Sequence, residues 1–218
     1  MEAFKRGLRK IVAESIGEED FDSFRYGECE SETLRKVFVL LNMLESERRS
    51  SRFRFDLYRE RAWDVEHIAS RTDNPLSGKA NQDEWLRLAM AEMSAKERSE
   101  LAKCKTFAQK WSLMWATFES DDDTVSDKDG IGNLALLDSG TNRSYGNAIF
   151  PVKRRRVIFE AMGKGSYVPS LTEAAFAKSY SPGATQMRYW GESDAAAYHD
   201  AMKAMFEEFM DKAKENVK

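Results

Sequence analysis

The sequence predicts an α+β fold that is mostly helical. Three observations predict it. Apolar residues recur at three- and four-residue spacing near residues 4–16, 34–44, 84–118 and 202–210, the pattern of helices that bury one stripe. Only three short segments read as strands, 51–57, 63–68 and 131–137. The length, 218 residues with 42% hydrophobic content, suits one sizeable domain that needs no disulfide or zinc staple.

The first 48 residues read as two helices. Phe4, Leu8, Ile11, Val12 and Ile16 form one amphipathic face. Ser31 is placed to cap a second helix, whose stripe is Leu34, Val37, Phe38, Leu41 and Leu44. Both are expected as core or packing elements, joined by an acidic, aromatic connection over 18–27. Ser51-Arg-Phe-Arg-Phe-Asp-Leu alternates polar and apolar and predicts a half-buried strand. A second strand is expected over Trp63–Ile68.

A turn-rich stretch, 71–78, leads into helical runs at Glu84–Met93 and Lys96–Phe118. There Trp111, Met114, Trp115 and Phe118 share a face and read as core. The segment from Asp121 to Gly130 looks like a cation loop. Setting Gly130 at position six of an EF-hand puts Val125 at one and Leu136 at twelve, where oxygen ligands are required. A solvated acidic loop is the reading that remains. The apolar run Ile131–Leu137 predicts a strand, and Gly140 turns the chain. A helix is expected through Lys153 to Met162, with Pro151 in its first turn. Residues 163–191 read as loop-rich with short helical pieces. Ser193 is expected to cap a last helix carrying Met202, Met205, Phe206, Phe209 and Met210.

Composition excludes several classes. The two cysteines, Cys29 and Cys104, have no CxxC spacing, which excludes a thiolate zinc site and argues against a disulfide framework. Reduced thiols fit a cytoplasmic location. The N-terminus lacks the apolar segment of a secretory signal, and no run approaches ~18 apolar residues. The net charge of −3 is a sum that can hide a basic patch.

Candidate chemistry begins with the two histidines. His199 shares the Met202 and Phe206 face and reads as a packing or boundary residue. His67 ends a predicted strand directly after Glu66. A carboxylate there can ligate a divalent metal, while a neutral imidazole can take a proton from water. Asn133 lies on the later strand, followed by Asn142 and Asn147. Asparagine oxygens suit Mg²⁺, although asparagine also serves turns. From Arg143 to Arg156 the chain carries Arg143, Lys153, Arg154, Arg155 and Arg156 and no acidic residue. That run is either a solvated helix face or a surface for phosphates. Its place directly after the asparagines favours phosphates.

Three stretches together resemble the HNH (ββα-metal) nuclease domain of the GmrSD type, the C-terminal half of modification-dependent restriction and phage-defence proteins. They are Glu66-His67-Ile68, the run Ile131-Gly-Asn-Leu-Ala-Leu-Leu, and the run from Thr141 through Asn142 and Asn147 to Lys153. The gap of nine between Asn133 and Asn142 also resembles the HNH domain of RNA-guided CRISPR nucleases. The resemblance implies a single domain over 1–218. Residues 1–48 would be N-terminal helices and 51–162 a ββα-metal core with a helical insertion at about 75–125. Residues 163–218 would be a C-terminal helical segment.

The resemblance implies roles as well. His67 would be the general base and Glu66 a metal ligand. Asn142 would be the last metal ligand. Asn133 would tie the strand ends together and position the base. Asn147 would be supporting, and Lys153 with Arg143, Arg154, Arg155 and Arg156 would meet DNA. The implied cofactor is Mg²⁺ or Mn²⁺, and the implied activity is hydrolysis of DNA phosphodiesters in restriction of modified or foreign DNA. The family's N-terminal nucleotide-binding, ParB-like module has no counterpart in this chain, so a partner domain or subunit is expected. Two alternatives stay open: a DNA-binding module of the same fold that needs a partner to cleave, and a helical interaction protein with a solvated basic face.

Overall fold

The computed structural model describes residues 2–17, 19–60, 62–71, 76–119, 122–138, 148–161, 167–181 and 186–215. The fold is α+β and mostly helical. Its order is α1 (Glu2–Ile16), α2 (Ser31–Arg48), α3 (Phe55–Glu60), β1 (Trp63–His67), α4 (Lys79–Met90), α5 (Ala95–Ala102), α6 (Phe107–Phe118), β2 (Leu134–Asp138), α7 (Phe150–Arg155), α8 (Ser170–Phe176) and α9 (Glu192–Lys214). Short 3-10 turns occupy Phe21–Ser23 and Ile131–Asn133, and a π turn over Arg156–Ala161 continues α7.

The strands pair antiparallel from Trp63↔Asp138 to His67↔Leu134. The pairing continues one step further, because Ile68 N donates to Asn133 O at 2.7 Å. The last residue of β1 therefore meets the first of β2. Leu134 to Leu137 are all buried, because α2 and α8 pack against the sheet, and a strand covered in this way reads as an unbroken apolar run. β1 alternates instead. Trp63 and Val65 are buried while Asp64 and Glu66 are half-buried, so Glu66 leans away from the core.

Polar groups lock α2 to α8. The buried Asn42 accepts from Leu171 N at 2.9 Å and Thr172 N at 3.4 Å, and donates to Phe38 O at 2.7 Å. One side chain thereby satisfies two of the four orphan donors at the start of α8. Helix α9 crosses the Ile131–Asn133 turn closely. A Cβ on Gly132 would stand 2.6 Å from Ala195 O and 3.1 Å from His199 Cβ, so glycine is required there by the approach itself.

The helices α4, α5 and α6 build a second apolar cluster with Ala148, Ile149 and Val152. Trp111, Met114, Trp115 and Phe118 are buried in it, as their spacing predicts. Capping boxes start two of these helices, Ser94 with Glu97 on α5 and Thr106 with Gln109 on α6.

Several expectations are corrected. Residues 51–57 do not form a strand; Phe55 onward is helical, and Phe53, Tyr58, Trp63 and Tyr167 gather in an aromatic cluster. Helix α1 forms, yet Phe4 and Ile11 are 70% and 63% exposed, because only the side carrying Val12, Ala13 and Ile16 reaches the core. Ser31 is the first helical residue of α2, after Glu30 at the N-cap, and makes no cap bond. At α9 the cap is Gly191, and the help comes from afar: Asp123 accepts from Ser193 N at 2.8 Å. The acidic loop is thus docked through Asp123 while Asp122 and Asp127 stay exposed to solvent. Asp127 accepts from Gly130 N at 3.0 Å and pairs with Arg25 at 2.5 Å.

His199 stands at the core boundary, with Nε2 at 2.8 Å from Asp22 and Nδ1 at 3.1 Å from Asp200. Among the described residues, no helix is long and apolar enough to cross a membrane.

Candidate active site

The paired strand ends carry the candidate site. Antiparallel pairing brings His67 and Asn133 together across 66 residues of sequence, since Asn133 directly precedes the residue paired with His67. Asn133 is 1% exposed. Its Nδ2 donates to Ala69 O at 3.0 Å and to Lys128 O at 2.8 Å, and its Oδ1 accepts from Ala69 N at 2.8 Å. One amide therefore binds the segment after β1 to the loop before β2. Nearby, Ser70 Oγ donates to Ala148 O at 2.8 Å and holds the entry to α7.

The His67 ring lies at this junction. Its Nε2 is 2.8 Å from Asp129 Oδ1. Tyr26 covers the ring, with centroids 4.6 Å apart and planes at 56°. Burial lowers the imidazole below its ordinary value. The Asp129 hydrogen bond opposes that effect, and the Lys153 and Arg71 charges add to it. The ring is therefore neutral at pH 7, the form that can accept a proton. Asp129 lies in no motif. An aspartate in an acidic loop gives no local sign of meeting a histidine 62 residues away in sequence.

Lys153 departs from its expected role at the DNA surface. It is 4% exposed, and its Nζ donates to His67 O at 2.7 Å. The ammonium lies beneath the end of β1 because α7 enters the core with Phe150, Pro151 and Val152 buried. Burial lowers its pKa to about 8, against the raising effect of the Glu66 carboxylate. An unfolded lysine holds its proton to the ordinary 10.5, so between about 8 and 10.5 the unfolded chain binds more protons and folding stability rises with pH. Lys153→Met, which keeps the length without the charge, is expected to flatten that rise. About 3 kcal/mol is at stake in a shift of this size, and urea denaturation at pH 7.5 and 10 would show it.

The fold engages part of the arginine run. Arg155 pairs with Glu92 of the helical insertion at 2.7 Å. The Glu84 carboxyl is held below its ordinary value chiefly by its hydrogen bond with Arg87, and the nearby Arg156 charge adds to that. The run has no acids of its own, and the fold supplies them from the α4 region. Arg154 and Arg156 are half-buried. Asn142, Arg143 and Asn147 lie outside the described residues.

Glu66 is half-buried beside His67. Its charge acts on Lys153 from one side and, with Asp64 and Asp129, pushes up the Tyr26 phenol, for which burial is the larger cause. Among the described residues, no three His, Cys, Asp or Glu side chains stand together as a metal cluster. A carboxylate such as Glu66 suits a hard cation that keeps several waters, and Asn142, the asparagine expected beside it, is outside the described residues.

Residues 105–203 match the sequence model of a family described as GmrSD restriction endonucleases, C-terminal domain. The chain therefore carries a segment similar to a restriction-endonuclease domain. The matched segment takes in α6, Asn133, β2, the basic run and the first half of α9, and it begins after β1, so Glu66 and His67 lie outside it. No curated protein and no solved structure matches the chain.

Proposed function

We propose that this chain is a metal-dependent DNA endonuclease of the HNH type, acting in restriction of modified or foreign DNA. The observation that carries the reading is the junction of strand ends. A shielded imidazole follows a carboxylate at the end of β1, and the buried Asn133 amide braces it from the turn just before β2. The similarity over 105–203 supplies the substrate class.

In this reading Glu66 and Asn142 would hold Mg²⁺ or Mn²⁺, which would neutralise charge developing on the leaving 3′-oxygen. His67 takes a proton from a water aligned opposite that oxygen. The water O–H bond breaks with its proton passing to the imidazole, the new O–P bond forms, and the P–O3′ bond breaks. The leaving oxygen takes a proton from solvent, giving 5′-phosphate and 3′-hydroxyl ends. Asn133 holds the imidazole in place through the backbone. The nucleotide-binding, ParB-like partner and a cytoplasmic location belong to this proposal too. The test is modified and unmodified plasmid incubated side by side with the chain in Mg²⁺ and in Mn²⁺; both substrates left intact in both metals sinks the reading.

DNA binding gives a separate expectation. Replacing Arg154, Arg155 and Arg156 together by alanine is expected to weaken binding to every sequence. The slope of log affinity against log salt should fall by about 0.9 for each phosphate that the variant no longer neutralises. Because Arg155 is paired with Glu92, the fall should be smaller than three fully solvated arginines would give. Fluorescence anisotropy across a salt series measures it, and an unchanged slope removes this run from the DNA surface.

A further inference from the structure

Among the described residues the His67 ring makes one hydrogen bond, from Nε2 to Asp129 Oδ1 at 2.8 Å. The two side chains are 12% and 23% exposed, so water competes little for the bond. Asp129 is itself held in place. Its Oδ2 faces Arg71 Nη2 at 3.4 Å, and its backbone carbonyl accepts from Tyr26 N at 2.8 Å. The adjoining pair, Arg25 and Gly130, forms an isolated antiparallel bridge. The Arg25 guanidinium pairs with Asp127 in the same loop. The connection before α2 therefore clamps the loop before β2, and the clamped loop presents a carboxylate to the imidazole.

A neutral imidazole carries one N–H, and an ionised carboxylate only accepts. The bond thus puts the proton on Nε2 and leaves the lone pair on Nδ1. We propose that Asp129 is a positioning residue for His67, holding the ring with Nε2 as donor so that Nδ1 receives the proton of the attacking water. This role rests on the nuclease reading above. When the water O–H bond breaks, its proton goes to Nδ1. The ring becomes imidazolium, still donating from Nε2, and its new charge faces the carboxylate. The arrangement follows the general rule of a base oriented by a third group. It also assigns work to the segment around Tyr26, which lies outside the matched residues 105–203.

A purely structural Asp129 would make the same hydrogen bond without affecting turnover, so NMR tests the tautomer and kcat tests the role. The chain has two histidines, so selective ¹⁵N-histidine labelling gives two ring systems, assigned with His67→Gln. The full-length protein is expected to show His67 protonated on Nε2, with a downfield proton protected from exchange. Asp129→Ala should lose that protection. Asp129→Asn, a neutral and weaker acceptor of the same shape, should move the resonance upfield and keeps the test open if the alanine variant does not fold. In both variants kcat on plasmid should fall about 10²-fold or more, with half-saturating DNA unchanged. A proton on Nδ1 in the parent, a resonance indifferent to Asp129, or an unchanged kcat overturns the role. A parent that cuts no DNA sinks the nuclease reading and this role together; a parent that cuts no faster than its Asp129 variants sinks this role alone.

Discussion

Replacing His67 with alanine is expected to slow plasmid nicking by about 10²- to 10⁴-fold in Mg²⁺ or Mn²⁺, the usual contribution of a positioned general base. The size follows from the environment. Burial favours the neutral ring, so a base is ready at pH 7, and the variant has none. The pH profile should carry the same signature. The rate should rise with pH through a midpoint below the ordinary histidine value of 6.5, because the protonated ring cannot accept a proton and burial disfavours that form. The alanine variant should lose this limb altogether. Its fold should survive, since the ring contributes one side-chain hydrogen bond and its packing against Tyr26; thermal melting checks that point. Equal nicking rates for parent and variant would remove His67 from the chemistry.

The largest effect on stability is expected at Asn133. Its buried amide satisfies Ala69 N, Ala69 O and Lys128 O at the edge of the core. Asn133→Ala strands three part-buried backbone groups at about 1–3 kcal/mol each before relaxation. A net loss of about 3–5 kcal/mol is therefore expected, a large part of a typical domain's stability. Asn133→Asp should be worse at neutral pH. It keeps the shape but turns an anion toward two carbonyls that need a donor. The penalty raises the folded-state pKa of that carboxyl, so the variant should regain stability as pH falls and the carboxyl protonates. Urea denaturation at neutral and at mildly acidic pH tests both parts. An Asn133→Asp variant as stable as the parent at neutral pH would mean that the amide does not brace the strand ends.

Much of the local structure is legible in the sequence. The aromatic stripe on α6, the strand at Trp63–His67 and the apolar run of β2 depend on neighbours within a few residues, whereas the single helix expected over Lys96–Phe118 divides at Thr106, which caps α6. Pattern and propensity decide such features. Residues 51–57 mislead for the converse reason. Alternation over so short a stretch also fits a helix, because Phe55 and Tyr58 are three apart and share a face. In α1 the periodicity correctly predicts the helix, but periodicity cannot say that the core reaches only one side of it.

For the candidate site the division is sharper. The available groups are readable in the sequence: two histidines, Glu66 beside His67, Asn133 next to an apolar strand, and a run of basic residues free of acids. Only the tertiary structure decided their states. It faced His67 with Asp129, buried the Lys153 ammonium under β1, and set Glu92 and Glu84 against Arg155 and Arg156. The physical reason is range. Helical and strand preferences are set over a few residues, whereas charge and burial depend on whatever the fold brings within several ångströms. Those neighbours come from the connection before α2, the helical insertion and the loop before β2, all distant from the motif in sequence.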